Sequence, residues 1–283
     1  MRQVGAQLRD VTRQGTANFA LEIKDLLMQF ETPQGPVVAV DRMSVGVEQG
    51  RFVSIIGPSG CGKSTVFNIV GGLLRGYQGD VTVAGTRMDG PHKDIGMVFQ
   101  EESTFPWRTV IDNVVFPLEV SGVPRAERYD RARSFIRMVG LEGFEQRFPA
   151  ELSGGMRQRV AIARTLAFEP KILLMDEPFA ALDEQTRLLL GDHILKIQQE
   201  LRQTTVLITH NITEAVQLSD KIVIMTYRPG RLKRVLDIDL PRPRTSEVVG
   251  SPEFGAYVAE IWKDLREEAS RGMQDAEARS RSS

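Results

Sequence analysis

The chain has 283 residues, 41% hydrophobic and 26% charged, with 36 basic and 37 acidic residues and a formal net charge of −1. That length allows one large domain or two smaller ones, and the interspersed signs exclude a global field that would draw the chain to nucleic acid or an anionic membrane. A single cysteine, Cys61, excludes an internal disulfide framework and suits a reducing compartment, and no apolar run reaches the length of a bilayer span.

In chain order, residues 1–18 carry charges throughout and no apolar core, which predicts a mobile leader and not a secretory signal. Leu21–Phe30 alternates as a strand, Pro33, Gly35 and Pro36 mark a turn, Val37–Val40 begins another strand, and Met43–Val47 and Arg51–Ile56 bracket a turn signal at Glu48-Gln49-Gly50. Arg51–Ile56 is a strand, Val66–Val70 begins a helix, and Asp80–Val83 and Ile95–Phe99 are short strands. From Thr109 to Phe168 strand signals vanish; Tyr129, Ala132, Phe135, Ile136 and Val139 recur at helical spacing. A helical block in an otherwise alternating α/β chain predicts a subdomain, about 104–168, inserted between two halves of one core. The alternation resumes with a buried strand at Lys171–Met175, a helix at Thr186–Leu201, a strand at Thr205–Thr209 and a short helix at Thr213–Leu218. Ile222–Met225 and Leu232–Ile238 pair around Arg228-Pro229-Gly230-Arg231. Phe254–Glu268 is an amphipathic helix with Phe254, Tyr257, Val258, Ile261, Trp262 and Leu265 on one side, and the composition from Arg271 to Ser283 predicts disorder.

Three constellations carry chemistry. Gly57-Pro58-Ser59-Gly60-Cys61-Gly62-Lys63-Ser64-Thr65 lies between a strand and a helix and fits G-x-x-x-x-G-K-[ST], the phosphate-binding P-loop. Its glycines let backbone N–H groups turn inward at phosphate oxygens, and the helix start adds unpaired N–H groups and a positive dipole end. Lys63 would reach the β- and γ-phosphates and Ser64 would ligate Mg²⁺. Cys61 reads as a small loop residue without chemistry of its own. Next, Asp176 and Glu177 end a buried apolar strand, where a carboxylate is costly to ionise unless a cation neutralises it. That makes Asp176 a metal anchor and Glu177, pointing elsewhere, a group to orient or deprotonate water. Finally, Ser153 caps a helix behind Gly154 and Gly155, a second anion cradle that makes sense if it serves a nucleotide held by another copy of the chain.

Gly57–Thr65, Gln100, Leu152–Met156, Leu173–Glu177, Ala181-Leu182-Asp183 and His210 stand in the order of the Walker A, Q-loop, signature, Walker B, D-loop and H-loop motifs. Over roughly Leu21–Arg244 the chain resembles the ATPase subunit of ABC transporters. The resemblance implies an α/β P-loop NTPase core, with a mixed sheet, flanking helices, antiparallel N-terminal strands and an inserted helical subdomain, spanning residues 19–244 ahead of a C-terminal helix and tail at 245–283. It implies a head-to-tail dimer sandwiching two ATP molecules with Mg²⁺, each P-loop facing Ser153, Gly154 and Gly155 of the other chain, with Asp183 also at the nucleotide. Glu177 would be the catalytic base, His210 would hold the γ-phosphate and the water, and Gln100 would sense Mg²⁺ and the γ-phosphate. Phe30 falls where the family stacks an aromatic on adenine, commonly Tyr; the ring face is kept and the hydroxyl lost.

Phe105-Pro106-Trp107-Arg108-Thr109-Val110, Leu152–Arg159 and Asp239–Arg244 look like the nitrate/sulfonate/taurine importer branch. Met156 replaces the usual Gln of the signature and Asn211 an Asp after the H-loop histidine. The branch implies peripheral attachment at the cytoplasmic face of the cell (inner) membrane, polytopic permease partners, an extracytoplasmic solute-binding protein acting indirectly, and no nucleic acid. Two residue readings stay open: His210 as a buried structural histidine, and Phe105 with Trp107 as core of the helical block instead of a groove for a membrane partner. The competing function is a soluble ABC-type ATPase switch acting on protein or nucleic acid without transport.

Overall fold

The structure, a computed structural model, describes residues 19–281 apart from 34, 102 and 243; the leader expected at 1–18 lies outside the described residues. The first half of the chain forms β1 (Phe19–Thr32), β2 (Gly35–Glu48), β3 (Phe52–Ile56), α1 (Lys63–Val70), β4 (Gln78–Val83), β5 (Thr86–Arg87) and β6 (Ile95–Val98). A block of three helices follows, α2 (Val110–Val120), α3 (Arg125–Met138) and α4 (Gly154–Ala167). The remainder is β7 (Ile172–Asp176), α5 (Glu184–Leu201), β8 (Thr204–Thr209), α6 (Ile212–Leu218), β9 (Lys221–Met225), β10 (Leu232–Asp237) and α7 (Pro252–Arg281).

The strands build an antiparallel sheet, β2-β1-β4-β5, and a mixed sheet, β10-β9-β3-β8-β7-β6, in which only β10 runs antiparallel to its neighbour. β3, β7 and β8 are buried along their whole length, as parallel strands covered on both faces must be. Their period of two divides the core. Phe52, Leu173, Met175 and Leu207 face the helical block and α5, whereas Val53, Ile55, Leu174, Val206 and Ile208 face α1 and the antiparallel sheet. Because β6 and β7 are neighbours, the whole helical block is the crossover between them. The C-terminal ends of β3, β7 and β8 thus lie side by side, the edge at which open α/β sheets bind ligands.

The strand that Val37–Val40 begins continues through Met43–Val47, because the pairing steps from Leu26–Met43 to Met28–Val40, giving β2 one extra residue where Arg42 takes φ 48. One element differs from the sequence expectation: helix α7 runs through Arg281, across a stretch whose composition predicts disorder, and its Arg, Met, Gln, Ala and Glu lose little rotamer freedom in a helix. The helix packs on the core through Phe254 and Ile261, with Tyr257, Val258 and Leu265 partly buried against Ile222, Ile224 and Leu236. Trp262 stands at the edge of that face and is 59% exposed.

Ile261→Ala is therefore expected to lower unfolding stability by about 2–5 kcal/mol, whereas Trp262→Ala should change it by less than ~0.5 kcal/mol. Denaturant midpoints of the two variants measure the contrast, and similar losses at both sites would contradict this packing.

Candidate functional site

The loop after β3 is shaped by its neighbours as much as by its glycines. Gly62 caps α1 at φ 102, and a Cβ there would come within 2.7 Å of Ala39 O. Any side chain would be both strained and blocked by β2. Lys63, 7% exposed, donates from Nζ to Gly57 O at 2.8 Å and Pro58 O at 3.0 Å, which holds its ammonium over the loop. Cys61 is fully buried, and desolvation raises its thiol pKa against the pull of Lys63, so it is a packing residue and not a nucleophile. A cleft of ≈ 620 Å³ opens over the loop. Ser59, Gly60, Gly62, Lys63, Ser64 and Thr65 line its floor; Phe30, Gln100, Glu177 and His210 complete it from four other segments.

Asp176 and Glu177 are adjacent in sequence but occupy different environments. Asp176 is 7% exposed, and burial raises its pKa despite Ser64 and Lys63, which pull the other way. Its Oδ1 is buried with no hydrogen-bond partner among the described residues. That orphaned oxygen beside Ser64 fits a bound cation. Among the described residues no three His, Cys, Asp or Glu side chains cluster as a metal site. A hard ion such as Mg²⁺ would therefore be held by Asp176 and Ser64 and would take its other ligands from substrate phosphates and water. Glu177 takes φ 45, a left-handed backbone costing about 1–3 kcal/mol, while its N–H donates to Ile208 O at 2.8 Å. The turn sends its carboxylate into the cleft, where Oε1 lies 3.1 Å from His210 Nδ1. His210 is 63% exposed, not a buried structural histidine.

Ser153, Gly154, Gly155 and Asp183 do not line this cleft. Ser153 accepts from Met156 N at 3.3 Å and caps α4, and Asp183 caps α5 by accepting from Thr186 N at 2.9 Å. Backbone hydrogen bonding holds the Asp183 carboxyl below its usual range. The two caps are neighbours: a Cβ on Gly155 would meet Leu182 Cδ2 at 2.7 Å. Together they form an outward-facing cradle apart from the chain's own P-loop.

Several functional positions were not singled out from sequence. Gln158, 2% exposed, donates to Phe99 O at 3.0 Å, and Arg164 donates to Ser103 Oγ at 2.7 Å, so α4 grips both flanks of Gln100. Buried Asn113 bonds the backbone of Phe105, Arg108 and Thr109 and fixes the loop that displays Trp107, 72% exposed. Phe105 is instead packed, 4.8 Å from the Phe116 ring and under the Arg164 guanidinium. Arg228 lines the cleft from the β9–β10 turn. Glu214, on α6, is 6% exposed; burial pushes its pKa to about 7 against a hydrogen bond with Thr209 and the charges of Arg187 and His210. Gln158, Arg164 and Arg228 follow from no local motif, because their partners are distant in sequence; Asn113 and Glu214 bond groups nearby in sequence, and it is their burial that carries no local signal.

A P-loop at the end of a central parallel strand, with a buried carboxylate, a second carboxylate and a histidine converging on it, defines a nucleotide-binding ATPase core. The family model "ABC transporter" matches residues 40–180. An uncharacterized ABC transporter ATP-binding protein of Methanocaldococcus jannaschii is 46% identical over 90% of this chain and 96% of its own length. The nitrate import ATP-binding protein of a Synechocystis strain is 44% identical over 87% and 95% respectively. Relatives named for aliphatic sulfonate import in Bacillus cereus and taurine import in Roseobacter denitrificans are both 40% identical, the first over 80% of this chain and 88% of its own length, the second over 90% and 98%. A dimeric ATP-binding cassette solved in a post-hydrolysis state with ADP and Pi superposes with a TM-score of 0.71 at 32% identity, covering 78% of this chain and all of that one. The chain belongs to the ABC transporter family, as an ATP-binding and ATP-hydrolysing cassette.

Glu214 gives this core a pH dependence. The proton bound by native Glu214 stabilises the fold fully below pH 4.5, and the contribution is lost as pH rises through about 7. Glu214→Gln imitates the neutral form and is expected to gain roughly 2–3 kcal/mol on wild type between about pH 5 and about pH 8. Denaturant midpoints across that range test it; parallel profiles would rule it out.

Proposed function

We propose that this cassette powers an importer of a small solute of the nitrate, sulfonate or taurine kind, working as a head-to-tail homodimer. The dimer binds polytopic permease subunits at the cytoplasmic face of the cell membrane and is served indirectly by an extracytoplasmic solute-binding protein. The observation that carries this reading is the division of the site. Phe30, Gln100, Glu177, His210 and the P-loop share one cleft, while Ser153, Gly154 and Gly155 stand at the start of α4 and do not line it. Two anion sites on one chain are complementary only between two chains. Relatives named for nitrate, sulfonate and taurine import support the solute class. Among the described residues no helix is long and apolar enough to cross a membrane, which supports separate spanning partners.

In this reading the Gly57–Thr65 backbone cradles the ATP phosphates, Lys63 leaves its loop carbonyls for the β- and γ-phosphates, and Phe30 lies against adenine. Asp176 and Ser64 hold Mg²⁺, which when bound neutralises charge on the transferring phosphate. Glu177 takes the proton of the attacking water, and His210 holds the carboxylate and the γ-phosphate in register. Gln100 reports the γ-phosphate to α4 through the backbone that Gln158 grips. Ser153, Gly154, Gly155 and Asp183 of the second copy close over the nucleotide. Met156 leaves this intact, because Ser153 and the backbone make the contacts. Trp107, presented beside Gln100, anchors the permease.

Glu177→Gln is expected to bind ATP, accumulate as ATP-dependent dimer and lose at least about 100-fold in turnover, measured by size exclusion with ATP and by phosphate release. Full hydrolysis by that variant would remove Glu177 as base. Trp107→Ala should leave ATPase activity of the isolated cassette within about twofold while weakening recovery with the permease, since Trp107 stacks on Phe105 and does not line the cleft; undiminished co-purification would place the permease contact elsewhere.

A further inference from the structure

The turn between β9 and β10 walls the nucleotide cleft, and its two arginines are used differently. Arg231 is held structurally: its Nε and Nη2 donate to Asp41 Oδ2 at 2.8 and 2.5 Å. Arg228 lines the cleft. Its Nε donates to Gly60 O at 2.8 Å, and among the described residues no carboxylate pairs with its guanidinium. An exposed guanidinium with open donors at the rim of a phosphate loop matches the oxygens of a polyphosphate.

The turn is fixed on both sides. Towards the P-loop, Gly230 N donates to Ala39 O at 3.0 Å and Asp41 N donates to Gly230 O at 2.9 Å. A Cβ on Gly230 would collide with Cys61 O, so the turn rests directly on the loop backbone. Away from the cleft, Tyr227 N donates to Glu268 Oε2 at 2.9 Å. A Cβ on Gly272 would lie 2.9 Å from the Tyr227 ring. Glu268 is 1% exposed and is itself held by Lys233 Nζ at 2.9 Å. Helix α7 therefore grips the residue immediately before Arg228.

We propose that Arg228 is a nucleotide-binding residue whose guanidinium donates to the polyphosphate of the bound nucleotide, and that α7, through Glu268 and Gly272, is its positioning element. A displacement of α7 then changes nucleotide affinity without moving Lys63, Glu177 or His210. The inference rests on the reading of this cleft as the ATP site.

The test is equilibrium binding of ATP and ADP to the full chain. Arg228→Gln keeps a donor for Gly60 O but removes the charge, and should weaken both nucleotides about tenfold, as the loss of charge-assisted hydrogen bonds does. Lys63→Ala, measured in parallel, separates the two levels of the argument. Nucleotide binding retained by Lys63→Ala overturns the reading of the cleft. Binding lost by Lys63→Ala with wild-type affinity in Arg228→Gln overturns the role of Arg228 alone. Gly272→Ala crowds Tyr227 from outside the cleft and should raise KM for ATP about threefold with kcat within about twofold, an effect that disappears in the Arg228→Gln background. An equal effect of Gly272→Ala in both backgrounds, or none in either, overturns the positioning by α7.

Discussion

The constraint on which the site depends is the burial of Asp176. Its strand is covered on both faces, so the carboxylate cannot reach bulk water, and one of its oxygens has no partner among the described residues. An ionised carboxylate in such a place costs several kcal/mol unless a cation answers it. The rest of the cleft supplies the means: Ser64 and Lys63 at the start of α1, and room above the loop for a ligand that brings its own metal. The parallel sheet is what makes this arrangement rigid. β3 ends in the phosphate loop, β7 in Asp176 and β8 in Thr209 and His210, so three strand ends in register set the spacing of the chemistry.

The second dependence is that α4 serves two sites at once. Its N-terminus carries Ser153 and the two glycines, while Gln158 and Arg164 further along bond the Phe99 carbonyl and the Ser103 hydroxyl on either side of Gln100. Gln158 is buried, and its bond to Phe99 O would be expensive to leave unmade. The same loop, stiffened by Asn113, presents Trp107 to solvent. The start of α4, the Gln100 loop and the exposed aromatic are therefore joined within one chain by contacts that can be followed residue by residue.

What was legible in the sequence is what is local. The P-loop is defined by consecutive residues whose backbone does the work, so its spacing was legible on its own; the acidic pair and the capped helix at Ser153 gained a functional reading only beside it, and Phe30, Gln100 and His210 were expected from the resemblance in motif order. The helical block was legible because its periodicity is strong and the strands on either side are short apolar runs. Arg228 and Gln158 were not, because each acts through a partner brought near by the fold, and Asn113 and Glu214 were not, because their burial is set by tertiary packing and not by their local partners. Arg228 meets Gly60 across 168 residues and Gln158 meets Phe99 across 59. The bulge at Arg42 was not legible either, because it is a pairing feature with no local signature. Helix propensity in a stretch with nothing to bury explains the far end of α7, where composition pointed to disorder.

The pair Asp176–Glu177 shows how one dipeptide reaches two environments. In a continued strand the two side chains would fall on opposite faces of the sheet, and neither face is wet. The left-handed turn at Glu177 breaks that alternation while its N–H still completes a bond to β8, so the strand keeps its register and the second carboxylate swings into the cleft. The environments then diverge. Asp176 stays desolvated and is suited to a cation, whereas Glu177 is 18% exposed and lies against His210, where a water and a proton can come and go. The strained residue is not glycine, so its side chain accepts the cost of its own backbone, and the ladder bond to Ile208 holds it there.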